Sequence, residues 1–177
     1  MFTHLPWLAV ALCLSLDGWV VPCSADDLGP STRRGGLVLS EIMYHPAKRS
    51  DGLKLSFVEV YNCNPWPQDL TGFGIGVNTA SYQFPTNKVI GPHSFLVVAS
   101  DPTGLMQAYN ISNVLGALVG GLGNNQGSVS IYNPAGVAIF STTYQDEEPW
   151  PVSADGGGHS LVLAHPSYGE NDPRAWS

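Results

Sequence analysis

The chain predicts an all-β domain, an antiparallel sandwich, on three grounds. Short apolar runs alternate with a period of two, as in LVLSEIM (Leu37 to Met43) and FVEVYN (Phe57 to Asn62), and successive side chains leave opposite faces of a strand. Twenty Gly and fourteen Pro fall between those runs, which is the punctuation of strands and turns. No segment sustains the 3.6-residue period of a long helix.

Taken in order, the first strand directs Val38, Ser40, Ile42 and Tyr44 to one face and Leu39, Glu41 and Met43 to the other. His45-Pro46 ends it, because proline lacks an N–H and disfavours helix in the residue before it. A charged segment, AKRSDGLKLS, leads to the second strand, where Phe57, Glu59 and Tyr61 alternate with Val58 and Val60. Asn64-Pro65 and Trp66-Pro67 form a polar corner. Leu70 to Val77 reads as a Gly-spaced strand, and Ser81 to Pro85 as a short one. After Lys88-Val89-Ile90, the continuous apolar run SFLVVAS (Ser94 to Ser100) suits a strand buried on both faces. Asp101 and Pro102 open a helix of about two turns, the first as cap and the second at the first helical position.

Val114 to Gly127 is apolar and Gly-rich. It lacks the lysine and the strand-turn-helix frame of a phosphate loop, so it reads as a loop over the sandwich edge. GSVSIYN and GVAIFSTTY flank Pro134-Ala135-Gly136 as a hairpin, with Val129 and Ile131 on one face and Ser128, Ser130 and Tyr132 on the other. A last strand spans Ser160 to Ala164, and Trp150 and Trp176 read as aromatic anchors. The expected core holds Ile42, Val58, Val60, Leu96, Val98, Val129, Ile131 and Leu161. Trp176 is expected to pack on the sandwich, and the chain is expected to continue into further domains in a longer protein.

Composition sets the outer limits. Apolar residues make up 44% and charged residues 12%, enough for a real core. A net charge of −7 leaves no basic footprint for nucleic acid or an anionic membrane. Residues 1–25 have the layout of a secretory signal: an apolar stretch, LAVALCLSL, then small residues at Cys23 and Ala25 before Asp26. The stretch is short of the roughly 18–20 residues a span requires, so secretion or display at the cell surface is expected, with no membrane span after cleavage. Residues 26–36 read as a linker and 37–177 as the domain. Cleavage removes Cys13 and Cys23, leaving Cys63 without an internal disulfide partner.

The ordered blocks LSEIMYHP, FVEVYN, DLTGFGI, YQFP, VIGPHSFLVVAS, LGNNQGSVSIYNPAGVAIFSTTY and DGGGHSLVL together resemble the lamin-tail domain over about residues 37 to 177. The resemblance implies an immunoglobulin-like antiparallel β-sandwich. PWP…DGGGHSL is similar to the exported bacterial branch of that family, and a signal segment in front excludes a nuclear filament role.

Candidate chemistry is sparse. Glu41 and Glu59 fall on neighbouring strands, positioned either for acid–base work or a cation, or as sheet carboxylates paired with Lys48, Arg49 or Lys54. Asp146, Glu147, Glu148 and Asp155 are the calcium candidates, since hard cations take several loop oxygens. Asp155, His159 and Ser160 supply the residue types of a hydrolase triad, but adjacent strand residues point oppositely. Trp66 and Trp150 are candidate stacking platforms for a sugar. The expected function is that of a non-catalytic binding or structural module with an extracellular protein or polysaccharide partner, an accessory or adhesion domain. The alternatives are a metal-dependent hydrolase using the loop acids and a carbohydrate-binding accessory domain.

Overall fold

The computed structural model describes residues 35–165 and 168–177; the expected signal at residues 1–25 and most of the expected linker at 26–36 lie outside the described residues. The strands are β1 (Leu37–Met43), β2 (Phe57–Asn62), β3 (Gln68–Asp69), β4 (Gly74–Val77), β5 (Ala80–Gln83), β6 (Val89–Ile90), β7 (Phe95–Ala99), β8 (Leu115–Gly116), β9 (Gln126–Tyr132), β10 (Ala138–Gln145) and β11 (Leu161–Val162). Among the described residues one α-helix, α1 (Pro102–Tyr109), follows β7, and short 3-10 turns lie at Val152–Ala154 and Pro173–Ala175. A five-stranded sheet runs β11-β1-β2-β7-β8, a four-stranded sheet runs β10-β9-β4-β5, and β3 pairs with β6.

The two larger sheets share the core. Leu39, Ile42, Val58, Val60, Leu96 and Val98 of the first are buried against Ile75, Val77, Val129, Ile131 and Phe140 of the second. All eight residues expected in the core are there, because the period-two pattern sorts apolar from polar side chains between the faces.

β1 departs from simple alternation. Its pairing with β2 shifts between Leu39 and Glu41, so that Leu39 opposes Val60 and Glu41 opposes Glu59, with Ser40 the extra residue of a bulge. A bulge reverses the phase of a strand beyond it. Leu37 and Leu39 therefore join Ile42 and Tyr44 in the core, whereas simple alternation would have placed Leu39 opposite Ile42. The bulge also leaves the Ser40 carbonyl to accept from the Leu163 amide at 2.9 Å.

β7 is likewise one-sided. Phe95 is exposed and Val97 half-buried while Leu96 and Val98 are buried, since only one face of this sheet meets the other. The Gly-rich segment is partly ordered: β8 pairs with β7 in parallel, the one parallel pair between named strands described, and Leu118 and Leu122 enter the core. The helix forms as read. The Asp101 carboxylate accepts from the Gly104 amide at 2.9 Å, Pro102 occupies the first turn, and Asn110 ends it in the left-handed region, which asparagine tolerates.

The C-terminal stretch closes the five-stranded sheet. β11 pairs with β1. On the far side of β11, Val162 and Ser177 exchange backbone hydrogen bonds of 2.9 and 3.0 Å, and the Trp176 indole donates to the Glu170 carbonyl at 2.8 Å. Trp176 is buried, as expected.

Candidate functional site

With its inner face in the core, the five-stranded sheet turns Glu41 of β1, Phe57, Glu59 and Tyr61 of β2, Phe95 and Val97 of β7, and Val162 of β11 outward, with Val38 and Met43 buried beneath them; α1 covers part of this face, its Leu105 clustering with Ala99, Phe57 and Val97. α1 and the residues after it rise on one side. The result is a trough along the strands in two lobes that meet at the glutamates. One, of about 630 Å³, is walled by Met43, Phe57, Val97, Leu105, Tyr109 and Ile111, with His159, Ser160 and Ser177 at its rim. The other, of about 370 Å³, is lined by Val38, Tyr61, Cys63, Phe95, Val162 and Leu163. Glu41, Glu59 and Val162 belong to both.

Glu41 and Glu59 are direct cross-strand neighbours, and like charges in that position repel. The bulge and the last strand each supply a hydroxyl. Ser40 Oγ donates to Glu59 Oε1 at 2.7 Å, and Ser160 Oγ donates to Glu41 Oε1. Burial, followed by the charge of Glu41, raises the Glu59 carboxyl above its ordinary value, with the Ser40 hydrogen bond opposing. Among the described residues no basic side chain forms an ion pair with either glutamate. The ion pairs among the described residues are His45–Asp155, Arg49–Asp51 and Arg174–Asp172, so the expected pairing of these glutamates with Lys48, Arg49 or Lys54 is corrected to hydrogen bonds from serines. Arg49 instead grips Asp51 two residues away, at 2.5 Å. The three basic residues line a different concavity with the Gly-rich segment.

Apolar aromatics flank the charge. Phe95 is 58% exposed and lies against Tyr61 with ring centroids 4.6 Å apart. An exposed phenylalanine supported by a second ring is ready to bury area on a partner.

The remaining candidates separate in space. Asp155 pairs with His45 Nδ1 at 2.5 Å, and Ser160 donates to Glu41, so Asp155, His159 and Ser160 do not assemble a triad. Asp146 accepts from Asn125 Nδ2 at 2.9 Å. Among the described residues no three His, Cys, Asp or Glu side chains gather as ion ligands would, so Asp146, Glu147, Glu148 and Asp155 do not converge. Trp150 is corrected: it is buried in the core, 6.4 Å from Trp176, because the chain's return at its C-terminal stretch brings the Trp176 ring to it, and it offers no face to a sugar. Trp66 is 58% exposed. Its backbone carbonyl accepts from the buried Asn62 side chain, which also reaches the Gly91 carbonyl.

The trough was only half legible in the chain. Both glutamates stand out, but their direct opposition depends on the bulge, and the role of Phe95 depends on its pairing opposite Tyr61.

Fold and surface define an immunoglobulin-like β-sandwich module, all-β apart from one helix. More particularly, the lamin tail domain family matches residues 30–146, and the chain belongs to that family. No curated protein matches it. The matched span stops before β11, although β11 and the stretch to Ser177 complete the same sheet.

Proposed function

We propose that this chain is an exported, non-catalytic recognition module, an accessory or adhesion domain of a larger secreted or surface protein, that binds its partner on the outer face of the five-stranded sheet. The observation that carries this reading is the trough itself: apolar walls beside α1, an exposed phenylalanine, and two carboxylates with no ion pair among the described residues. Specific sites pair apolar contact with a few oriented polar groups, and residues 1–25 have the layout of an export signal. A polysaccharide partner is the second reading, favoured by the exposed ring of Trp66.

Both readings are tested with the full chain and its Phe95→Ala and Trp66→Ala variants, probed with a peptide library and with soluble polysaccharides in affinity gels. Peptide binding that Phe95→Ala abolishes supports the trough. Gel retardation by a polysaccharide that Trp66→Ala abolishes moves the site to the corner. Turnover of esters or phosphodiesters by the pure chain would contradict a non-catalytic module.

A further inference from the structure

The geometry points to a partner of particular chemistry for this trough: an extended peptide segment that seats one lysine or arginine side chain between Glu41 and Glu59 and lays apolar neighbours on either side. The inference rests on the recognition reading above and adds the identity of what is recognised.

Shape argues for an extended strand. The trough follows β1 from Val38 to Met43, which at about 3.3 Å per residue is roughly 17 Å, the reach of five or six extended residues. A cation belongs at its middle because the charge there is unbalanced. Glu41 and Glu59 face each other across a strand pair, each uses one oxygen on a serine, and neither has an ionic partner among the described residues. Folding does not remove this repulsion, and a guanidinium or ammonium between the carboxylates does. Charge-assisted bonds to two carboxylates are also stronger than those to neutral groups. The neighbours are apolar because the two lobes are: Phe95, Tyr61 and Val162 on one side, Phe57, Tyr109 and Ile111 on the other. Alternate residues of an extended segment point the same way, so the basic residue and the apolar ones two positions away can all face the sheet.

The test is calorimetric titration of the full chain with two blocked peptides, one with a central arginine flanked by serine and valine (Ac-Val-Ser-Arg-Ser-Val-NH2) and one with citrulline, the neutral isostere, in its place. The arginine peptide is expected to bind at least tenfold more tightly, with an affinity that falls as salt is added. Glu41→Gln/Glu59→Gln, which keeps the acceptors for Ser40 and Ser160, is expected to erase the difference; Glu59→Gln alone guards against a double variant that fails to fold. Equal binding of both peptides, abolished by Phe95→Ala, overturns the cation seat and leaves the recognition reading intact. Binding of neither, with no effect of Phe95→Ala on any ligand, overturns both. Concentration-dependent dimers that Phe95→Ala dissociates would assign the trough to a second copy of the chain and likewise overturn the proposal.

Discussion

At the scale of single residues, the glutamate pair carries a measurable cost. Glu59 is raised by burial and by Glu41, so the folded state holds its proton more tightly than the unfolded chain does. Stability is therefore greatest below the ordinary carboxylate range and falls as pH rises through the raised value. Glu59→Gln removes that dependence. The variant is expected to be more stable at neutral pH by about 0.2–1 kcal/mol, the range of cross-strand charge effects, with the advantage shrinking as pH falls. Thermal melts at several pH values check this, and a variant less stable at pH 7 would contradict it. The stacked tyrosines offer a second comparison. Tyr44 and Tyr144 lie with ring centroids 4.6 Å apart. The Tyr144 hydroxyl donates to the Gly123 carbonyl at 2.9 Å, whereas the buried Tyr44 hydroxyl has no hydrogen-bond partner among the described residues. Burial, with lesser contributions from Asp155 and Asp146, pushes Tyr44 up to about 12. Tyr44→Phe is expected to be neutral or stabilising, and Tyr144→Phe to cost on the order of 1–3 kcal/mol by stranding an acceptor. Denaturant midpoints should rank the two in that order.

At the scale of elements, what could be read from the chain was whatever repeats locally. The apolar face of β9, the cap of α1 and the alternation of β2 all depend on neighbours within a few residues, and all were legible. What was not legible depends on distant pairing. A bulge at Ser40 makes no mark on composition, since SEI reads as ordinary alternation until the partner strand fixes the register. Trp150 reads both as an anchor and as a sugar-stacking ring in a Pro-rich, acidic stretch, and only the return of the chain to Trp176 decides for the anchor. The segment after residue 146 teaches the same lesson. It lies beyond the family match, yet it supplies β11, Leu161 and Trp176 to the sheet and core. Ending the chain after Asp146 would bare the edge of β1 and remove those apolar contacts. The shortened protein is expected to lose its cooperative melt and to bind a hydrophobic dye; a melting temperature equal to that of the full chain would show that the closing segment is dispensable.

At the scale of the molecule, one face of the five-stranded sheet builds the main core, while the outer face is covered in part by α1 and carries acid and apolar area, with Lys48, Arg49 and Lys54 in a separate concavity. Recognition of an extracellular partner also requires delivery. Residues 1–30 fused to a reporter are expected to direct secretion with a mature N-terminus at Asp26, and an uncleaved, membrane-held product would oppose that. The central claim is where the partner sits, and amide chemical-shift mapping of the full chain during titration with the arginine peptide tests it most directly. Shifts are expected to concentrate at Val38 to Met43, Phe57 to Tyr61, Phe95 to Val97 and Leu105 to Ile111. Shifts gathered instead around Trp66, or on the outer face of the four-stranded sheet, would contradict it.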